Sequence, residues 1–318
     1  MALYKYLLSL EEKNRYSFYL AVFRLFVCFH LVKTLLFQWA YLDILYGPRS
    51  FVTPVPTFLT ELLGIPTQLL RAHYPWLITF YLLVIMLYLF GIGKHVTALL
   101  LFLCYETLQR MCHLVLNGGD NLMKFIMLYM IFADSYQYFS IKTRPLKNEI
   151  LRRLSNLGSN LCVRAITLHF CLIYFWSAWH KIHADVWFNG IATYYTFSIG
   201  RFKGTPWNDL LARNGIFVTV STYFTLLVET YFPVLVWFKK TRVPVICCGI
   251  ALHLGIYIFM MIYGFEIIFI MTYGFFFTDD EWSALLHKAL NRVSRKVHWL
   301  TPGRVLPAAL LSPRHAAR

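Results

Sequence analysis

Lys181 sits in the run Tyr174-Phe175-Trp176-Ser177-Ala178-Trp179-His180-Lys181-Ile182-His183-Ala184-Asp185. A lysine desolvated among Trp and Tyr holds a neutral amine more readily than one in water, and that amine can act as a general base. The alternative is a lysine that snorkels its ammonium out to water from a membrane edge. On 3.6-residue geometry His169, Trp176, His180 and His183 fall near one side, with Lys181 about a third of a turn away. His180 and His183 have the i,i+3 spacing that can put two imidazoles on one ion. No third ligand stands at a diagnostic distance, so the expectation is no metal and a structural or interfacial pair.

Two further sets of polar residues are candidates. Glu106, Arg110, His113 and Asn117 recur at helical spacing and lead to the turn-type sequence Asn117-Gly118-Gly119-Asp120, with Asp120 and Lys124 as an i,i+4 pair beyond it. They serve either as ion pairs between helices or as the wall of a polar cavity open to the outside. Arg24, Glu229 and His253 are expected to form a buried polar network, since clustering compensates three groups that are costly in lipid. As a cluster they act either as a structural latch or as a proton relay.

The elements that carry these residues read as membrane spans. Apolar residues make up 58% of the 318 positions and charged residues 14%, against about 25% charged in an ordinary soluble domain. The apolar blocks are near the roughly 20 residues that cross a bilayer core. The expected fold is an all-α integral membrane protein, a multi-pass bundle of about eight helices at Ser17–Tyr41, Pro75–Phe90, His95–Leu116, Asn121–Phe139, Val163–Lys181, Gly215–Phe238, Pro244–Met261 and Gly264–Phe277. The last two form one stretch interrupted at Tyr263-Gly264, so a re-entrant or kinked pair is an alternative. Residues 1–16 are read as a cytoplasmic tail without a cleavable signal peptide, 17–278 as the membrane domain, and 279–318 as a basic cytoplasmic tail, disordered after Trp299.

An N-in, C-in orientation puts 20 of the 30 Lys and Arg on the cytoplasmic side, as the positive-inside rule requires. That bias accounts for the net charge of +15, and no nucleic-acid motif accompanies it. The long outer connections 43–74 and 182–214 are expected to hold structure of their own, the first as an interfacial or re-entrant helix over Phe58–Leu70. The seven cysteines lie in or beside apolar blocks with no CxxC spacing and read as small buried hydrophobes. Arg24, Lys33, Arg110, Lys124 and Lys181 remain inside the spans, at a cost of roughly 2.5–3.5 kcal/mol each at mid-membrane. Glu106, Asp134, Glu229 and Glu266 are their acidic counterparts.

Phe23-Arg24-Leu25, Arg110 with Asn117-Gly118-Gly119-Asp120, His180-Lys181 with Trp187 and Gly190, Glu229 with Pro233, and His253-Leu254-Gly255 together resemble the HTTM (horizontally transferred transmembrane) family. The resemblance covers about residues 10–280 and rests on the order and placement of these elements. That family contains the membrane domain of vitamin K-dependent γ-carboxylase and the bacterial sporulation-delaying protein B group. Tyr174-Phe175, Lys181, Ala184-Asp185, an aromatic pair and Gly190 are similar to the carboxylase segment that carries its catalytic lysine. The resemblance implies that Lys181 deprotonates a reduced quinone of the vitamin K type. Oxygenation then yields a strong base that removes a glutamate γ-proton for carboxylation by CO₂.

On the same resemblance, Asp120, Arg110, His180 and His183 surround Lys181 as catalytic residues. Asn117, Gly118, Gly119, Trp176 and Trp187 belong to the substrate side, with Trp176, Trp179 and Trp187 at the quinol entrance. Gly118-Gly119-Asp120 stands where the carboxylase has an Asn-His element, and the large lumenal portion of the carboxylase has no counterpart in these residues. Length and architecture are closer to the sporulation-delaying group. The expected role is at the extracytoplasmic face of a bacterial cell membrane, on a peptide or lipid-soluble substrate. The competing expectation is a non-enzymatic partner of a small secreted antimicrobial peptide, or of a companion membrane protein, in maturation, export or immunity. No inverted repeat supports a transporter.

Overall fold

The computed structural model describes residues 2–53, 55–141, 147–262 and 264–300. Among them every regular element is helical, and there is no strand. The chain divides into two units, Met1–Phe276 and Phe277–Arg318. The expectation of a disordered tail after Trp299 falls on residues 301–318, outside the described residues.

Helix α1 (Ala2–Glu12) opens the chain, followed by α2 (Ser17–Gln38) and the short α3 (Leu42–Tyr46). Two more short helices, α4 (Phe58–Leu63) and α5 (Thr67–Ala72), lead to α6 (Tyr74–Leu89), α7 (His95–Met111) and α8 (Gly118–Met130). The long α9 (Glu149–Ile182) is followed by the short α10 (Asp185–Phe188), α11 (Ala192–Ser198) and α12 (Trp207–Ala212). Then come α13 (Gly215–Leu235), α14 (Lys239–Met260) and α15 (Phe265–Thr272), with α16 (Asp279–Leu300) in the second unit.

Among the described residues four helices are long and apolar enough to cross a membrane: Ser17–Tyr46, Glu149–Ile182, Gly215–Leu235 and Lys239–Met260. Tyr74–Leu89 and Phe265–Phe276 are apolar but shorter. At 1.5 Å per residue the 13 residues of α8 reach only about 20 Å. The expected fourth segment, Asn121–Phe139, thus begins as helix and finishes in turns after Met130.

Helix α9 starts well before the expected Val163, because the Asn148 side chain caps it by accepting from the Ile150 and Leu151 amides at 2.9 and 3.3 Å. Its early turns carry two more asparagines that close the end of α1. Asn156 donates to the Glu11 and Glu12 carbonyls, and Asn160 donates to those of Leu10 and Lys13 while accepting from the Arg15 amide. Residues 10–15 are therefore tied to α9, since orphan carbonyls at a helix C-terminus need donors and α9 supplies them.

The stretch 58–70 forms two short helices rather than one, because Gly64 (φ 64°) and Pro66 separate them. Arg71, expected as a loop charge, is buried and donates to the Val52 and Met111 carbonyls, tying the connection to the end of α7. The break between α14 and α15 lies where it was expected. Met261 takes the left-handed conformation and Gly264 follows at φ 90°. All seven cysteines are unpaired, and five are buried.

Candidate functional site

Five helices close a ring: α9 packs on α8, α8 on α15, α15 on α14, α14 on α13, and α13 back on α9. Inside it lies a cavity of about 570 Å³. That is within the range of small-molecule sites. The wall comprises Gly118, Asn121, Leu122 and Phe125 of α8, His169, Ile173, Tyr174, Ser177 and Lys181 of α9, and Glu229 of α13. It also includes Leu252, His253 and Ile256 of α14, and Phe265 and Phe269 of α15.

Lys181 does not snorkel. Side chains lean toward the N-terminus of their own helix, so Lys181 folds back one turn and donates to Ser177 Oγ at 3.0 Å. Helices α9 and α13 run antiparallel, with Tyr174 against Phe232 on one level and Phe188 beside Tyr223 on another. Glu229 thus leans the opposite way, and its Oε1 receives Lys181 Nζ in an ion pair. The Trp187 ring covers the third side of the ammonium, its centroid 4.9 Å away. The pair is largely withdrawn from solvent, with side chains 23% and 9% exposed.

The second cluster on the wall is aromatic. Tyr174 Oη lies 2.7 Å from His253 Nε2 and 2.5 Å from Tyr273 Oη, so one hydroxyl joins α9, α14 and the 3₁₀ turn after α15. Gly249 makes this possible, because a Cβ there would overlap Tyr273 Oη. His253 packs on Phe269 at 4.6 Å with the rings tilted by 35°, and Phe265 packs on Phe269 at 4.5 Å, tilted by 36°. Phe265 in turn lies over the glycine pair: a Cβ on Gly119 would sit 2.7 Å from Phe265 Cα, and one on Gly118 3.0 Å from its ring. Across the cavity His169 packs at a tilt on Phe125, centroids 4.5 Å apart, and its Nδ1 is 3.0 Å from Tyr129 Oη. Four buried oxygens and nitrogens in this region have no protein partner: Glu229 Oε2, His253 Nδ1 and, in α15, both carboxylate oxygens of Glu266.

The other expected catalytic residues, Asp120, Arg110, His180 and His183, have partners of their own. Asp120 completes a capping box at the start of α8, accepting from the Asn117 amide at 2.9 Å while Asn117 Oδ1 accepts from the Gly119 and Asp120 amides. Lys124 rests over the Phe125 ring instead of on Asp120. Arg110 pairs with Glu106 at 2.8 Å and reaches the Pro56 carbonyl. His180 and His183 are exposed and stack on Trp176 and Trp179 along a face of α9 that does not line the cavity. Among the described residues no three His, Cys, Asp or Glu side chains gather as a metal site. Of the expected substrate residues, Gly118 lines the wall, Trp187 covers Lys181, and Trp176 points outward at 54% exposure.

The network expected of Arg24, Glu229 and His253 is divided. Arg24 is fully buried elsewhere and donates to the carbonyls of Tyr88, Leu89, Tyr138 and Phe139 at 2.9–3.2 Å. Four carbonyls from two segments of the chain take the four N–H groups of the terminal nitrogens without a counter-ion, while Nε is buried without a partner. Glu229 and His253 share one cavity but have different partners, Lys181 and Tyr174.

Sequence reasoning passed over Ser177 and the Tyr174–Tyr273 contact. The spacing Tyr174, Ser177, Lys181 is i, i+3, i+7, one helix face, and was the available signal. No family model, curated protein or solved structure matches this chain.

Proposed function

We propose that this chain is a multi-pass protein of the HTTM type, with about eight membrane segments, N-in and C-in, in a bacterial cell membrane. We propose further that it performs base chemistry at the Lys181–Glu229 pair on a lipid-soluble, quinol-like molecule or on a peptide at the extracytoplasmic face. The observation that carries the reading is the cavity itself. Five helices line a half-open, mostly apolar cavity of about 570 Å³ with one ion pair in its wall. An ion pair inside a membrane bundle is a functional site by default, because folding alone favours apolar packing there.

A reduced quinone suits this lining. Phe125, Phe265 and Phe269 offer flat apolar faces, and the Lys181–Glu229 pair offers polar contact for a ring hydroxyl. Such a group would supply an acidic hydroxyl and the electrons that reduce oxygen. The chain's own contribution is to bind the ring, keep water away from it and hold a proton between Lys181 and Glu229.

The test uses protein in nanodiscs with a reduced naphthoquinone and dissolved oxygen. The reading predicts oxygen uptake by the wild type and its loss in Lys181→Ala. Wild-type protein that leaves reduced quinones and oxygen unchanged would remove the quinol chemistry. Cysteine labelling from the two sides of intact cells tests the topology, with both ends reactive only from the cytoplasm.

One observation favours the second reading, a membrane partner in maturation, export or immunity of a small secreted peptide. Phe175, Trp176 and Trp179, each about half exposed, form an outward aromatic face with His180 and His183. Aromatic side chains are the usual anchors of protein interfaces. Loss of phenotype on Trp176→Ala and Trp179→Ala with intact Lys181 chemistry would support this reading.

A further inference from the structure

Every N–H of the Lys181 ammonium is engaged: one faces Glu229 Oε1, one donates to Ser177 Oγ at 3.0 Å, and one faces the Trp187 ring. An ammonium has three donors and no lone pair. A ligand entering the cavity therefore meets no free acceptor on Lys181. Glu229 is the reverse. One oxygen is held by Lys181, while Oε2 is buried and has no partner. A carboxylate oxygen in that position is an open hydrogen-bond acceptor whose desolvation is uncompensated until a donor arrives.

We infer that Glu229, and not Lys181, takes the proton from a hydroxyl-bearing apolar ligand, and that Lys181 stays charged to hold the resulting oxyanion. The inference rests on the cavity being a ligand site and assigns the roles within it. In the step the ligand O–H bond breaks and a Glu229 Oε2–H bond forms. The ligand oxygen keeps the electron pair and replaces the carboxylate as counter-ion of Lys181. The cavity starts with one cation and one anion and ends with one of each, so no buried charge is left without a partner.

The histidines on the wall fit this role less well. His169 Nδ1 is engaged by Tyr129, and His253 Nε2 by Tyr174. His253 Nδ1 is free but lies beneath Phe269. A proton placed there would leave four charges in the cavity instead of two, at greater desolvation cost. The ligand class that follows is neutral, largely apolar and equipped with a weakly acidic hydroxyl, as in a phenol.

The probe is 4-nitrophenol, colourless when neutral and yellow when ionised, compared with its methyl ether 4-nitroanisole. Full-length protein in nanodiscs is titrated at a pH where the free phenol is colourless. Two variants separate the roles. Lys181→Arg keeps a cation that cannot act as a base, and Glu229→Gln keeps the shape but cannot take a proton. Melting curves confirm that both are folded.

The inference expects the wild type to prefer the phenol over its ether and to turn it yellow, Lys181→Arg to retain the yellow band, and Glu229→Gln to lose it. A band retained by Glu229→Gln, or lost by Lys181→Arg, overturns the inference. Binding of both compounds without preference or colour also overturns it but leaves the cavity as a ligand site. No saturable binding of either compound removes the ligand site as well.

Discussion

Arg24 and Lys181 are both cations held away from water, but their surroundings differ in kind. Arg24 meets four backbone carbonyls, at Tyr88, Leu89, Tyr138 and Phe139. Tyr136 lies under its guanidinium, at 5.4 Å, and Gly91 (φ 71°) leaves room beside it. None of these partners exchanges a proton with it, so the arrangement is a permanent staple between the end of α6 and the segment after α8. Lys181 meets a carboxylate, a hydroxyl and an indole at the wall of a cavity. Its main partner is titratable and half engaged, which is what a site needs and a staple does not.

The comparison is broken most severely at Arg24. Arg24→Met should strip the Leu89 and Phe139 carbonyls of their donor, at about 1–3 kcal/mol each, and remove one of two donors from the carbonyls of Tyr88, which keeps the Gly91 amide, and Tyr138, which keeps the Ser140 hydroxyl. We expect folded protein to be lost, as read by the monodisperse fraction in detergent. Arg24→Lys should fare little better, because one ammonium cannot reproduce the planar fork that spans four acceptors. Near-normal yield of either variant would mean that the carbonyls find other donors.

The next largest effect is at the ion pair. Glu229→Leu alone should cost up to about 3 kcal/mol by leaving the partly buried Lys181 without its counter-ion. Adding Lys181→Met should recover most of that stability while leaving the function lost. The measurement is a double-mutant cycle on unfolding midpoints. Additive losses would show that the two residues do not depend on each other.

Gly249→Ala comes third. Its Cβ would overlap Tyr273 Oη and force that ring from Tyr174, at about 1–3 kcal/mol for overpacking a filled core. Tyr273→Phe in the same background should return part of the loss, and no return would place the strain elsewhere.

The smallest effect is outside the spans. Lys203 bonds Asp209 at 2.7 Å, and that hydrogen bond and charge hold the Asp209 carboxyl below its usual range. A carboxyl lowered in the folded state contributes stability above its unfolded value and loses that contribution as pH falls through the folded one. Because the pair is exposed, Asp209→Asn should flatten the acid side of the unfolding curve only slightly.

Much of the helical architecture was legible because composition and block length dictate it. The stretches at Ser17, Gly215 and Lys239 begin within a few residues of their expected starts. Asn148 was missed as a cap because the charged turn after it resembles a loop, and the length of α9 depends on α1 packing on it. At the site, Glu229, His253 and Lys181 were all legible as buried polar residues, but their pairing was not. Depth counted along the chain ignores the lean of side chains toward each helix N-terminus, and that lean brings Lys181 and Glu229 together across antiparallel helices. Asp120 drew attention as an acidic residue at a turn, yet its carboxylate belongs to a capping box, which Asn117-Gly118-Gly119-Asp120 already spelled out. The surroundings of Arg24 were not legible, since carbonyl partners leave no mark in side-chain identity.

The most direct test of the central claim, that the five-helix cavity is a ligand site centred on Lys181 and Glu229, is equilibrium binding of reduced menadione. Anaerobic titrations would compare the wild type with Ile173→Trp, which narrows the cavity at its α9 wall. The account predicts saturable binding by the wild type and clearly weaker binding by the narrowed variant, with both proteins folded. Equal binding by the two proteins, or none by the wild type, would contradict it.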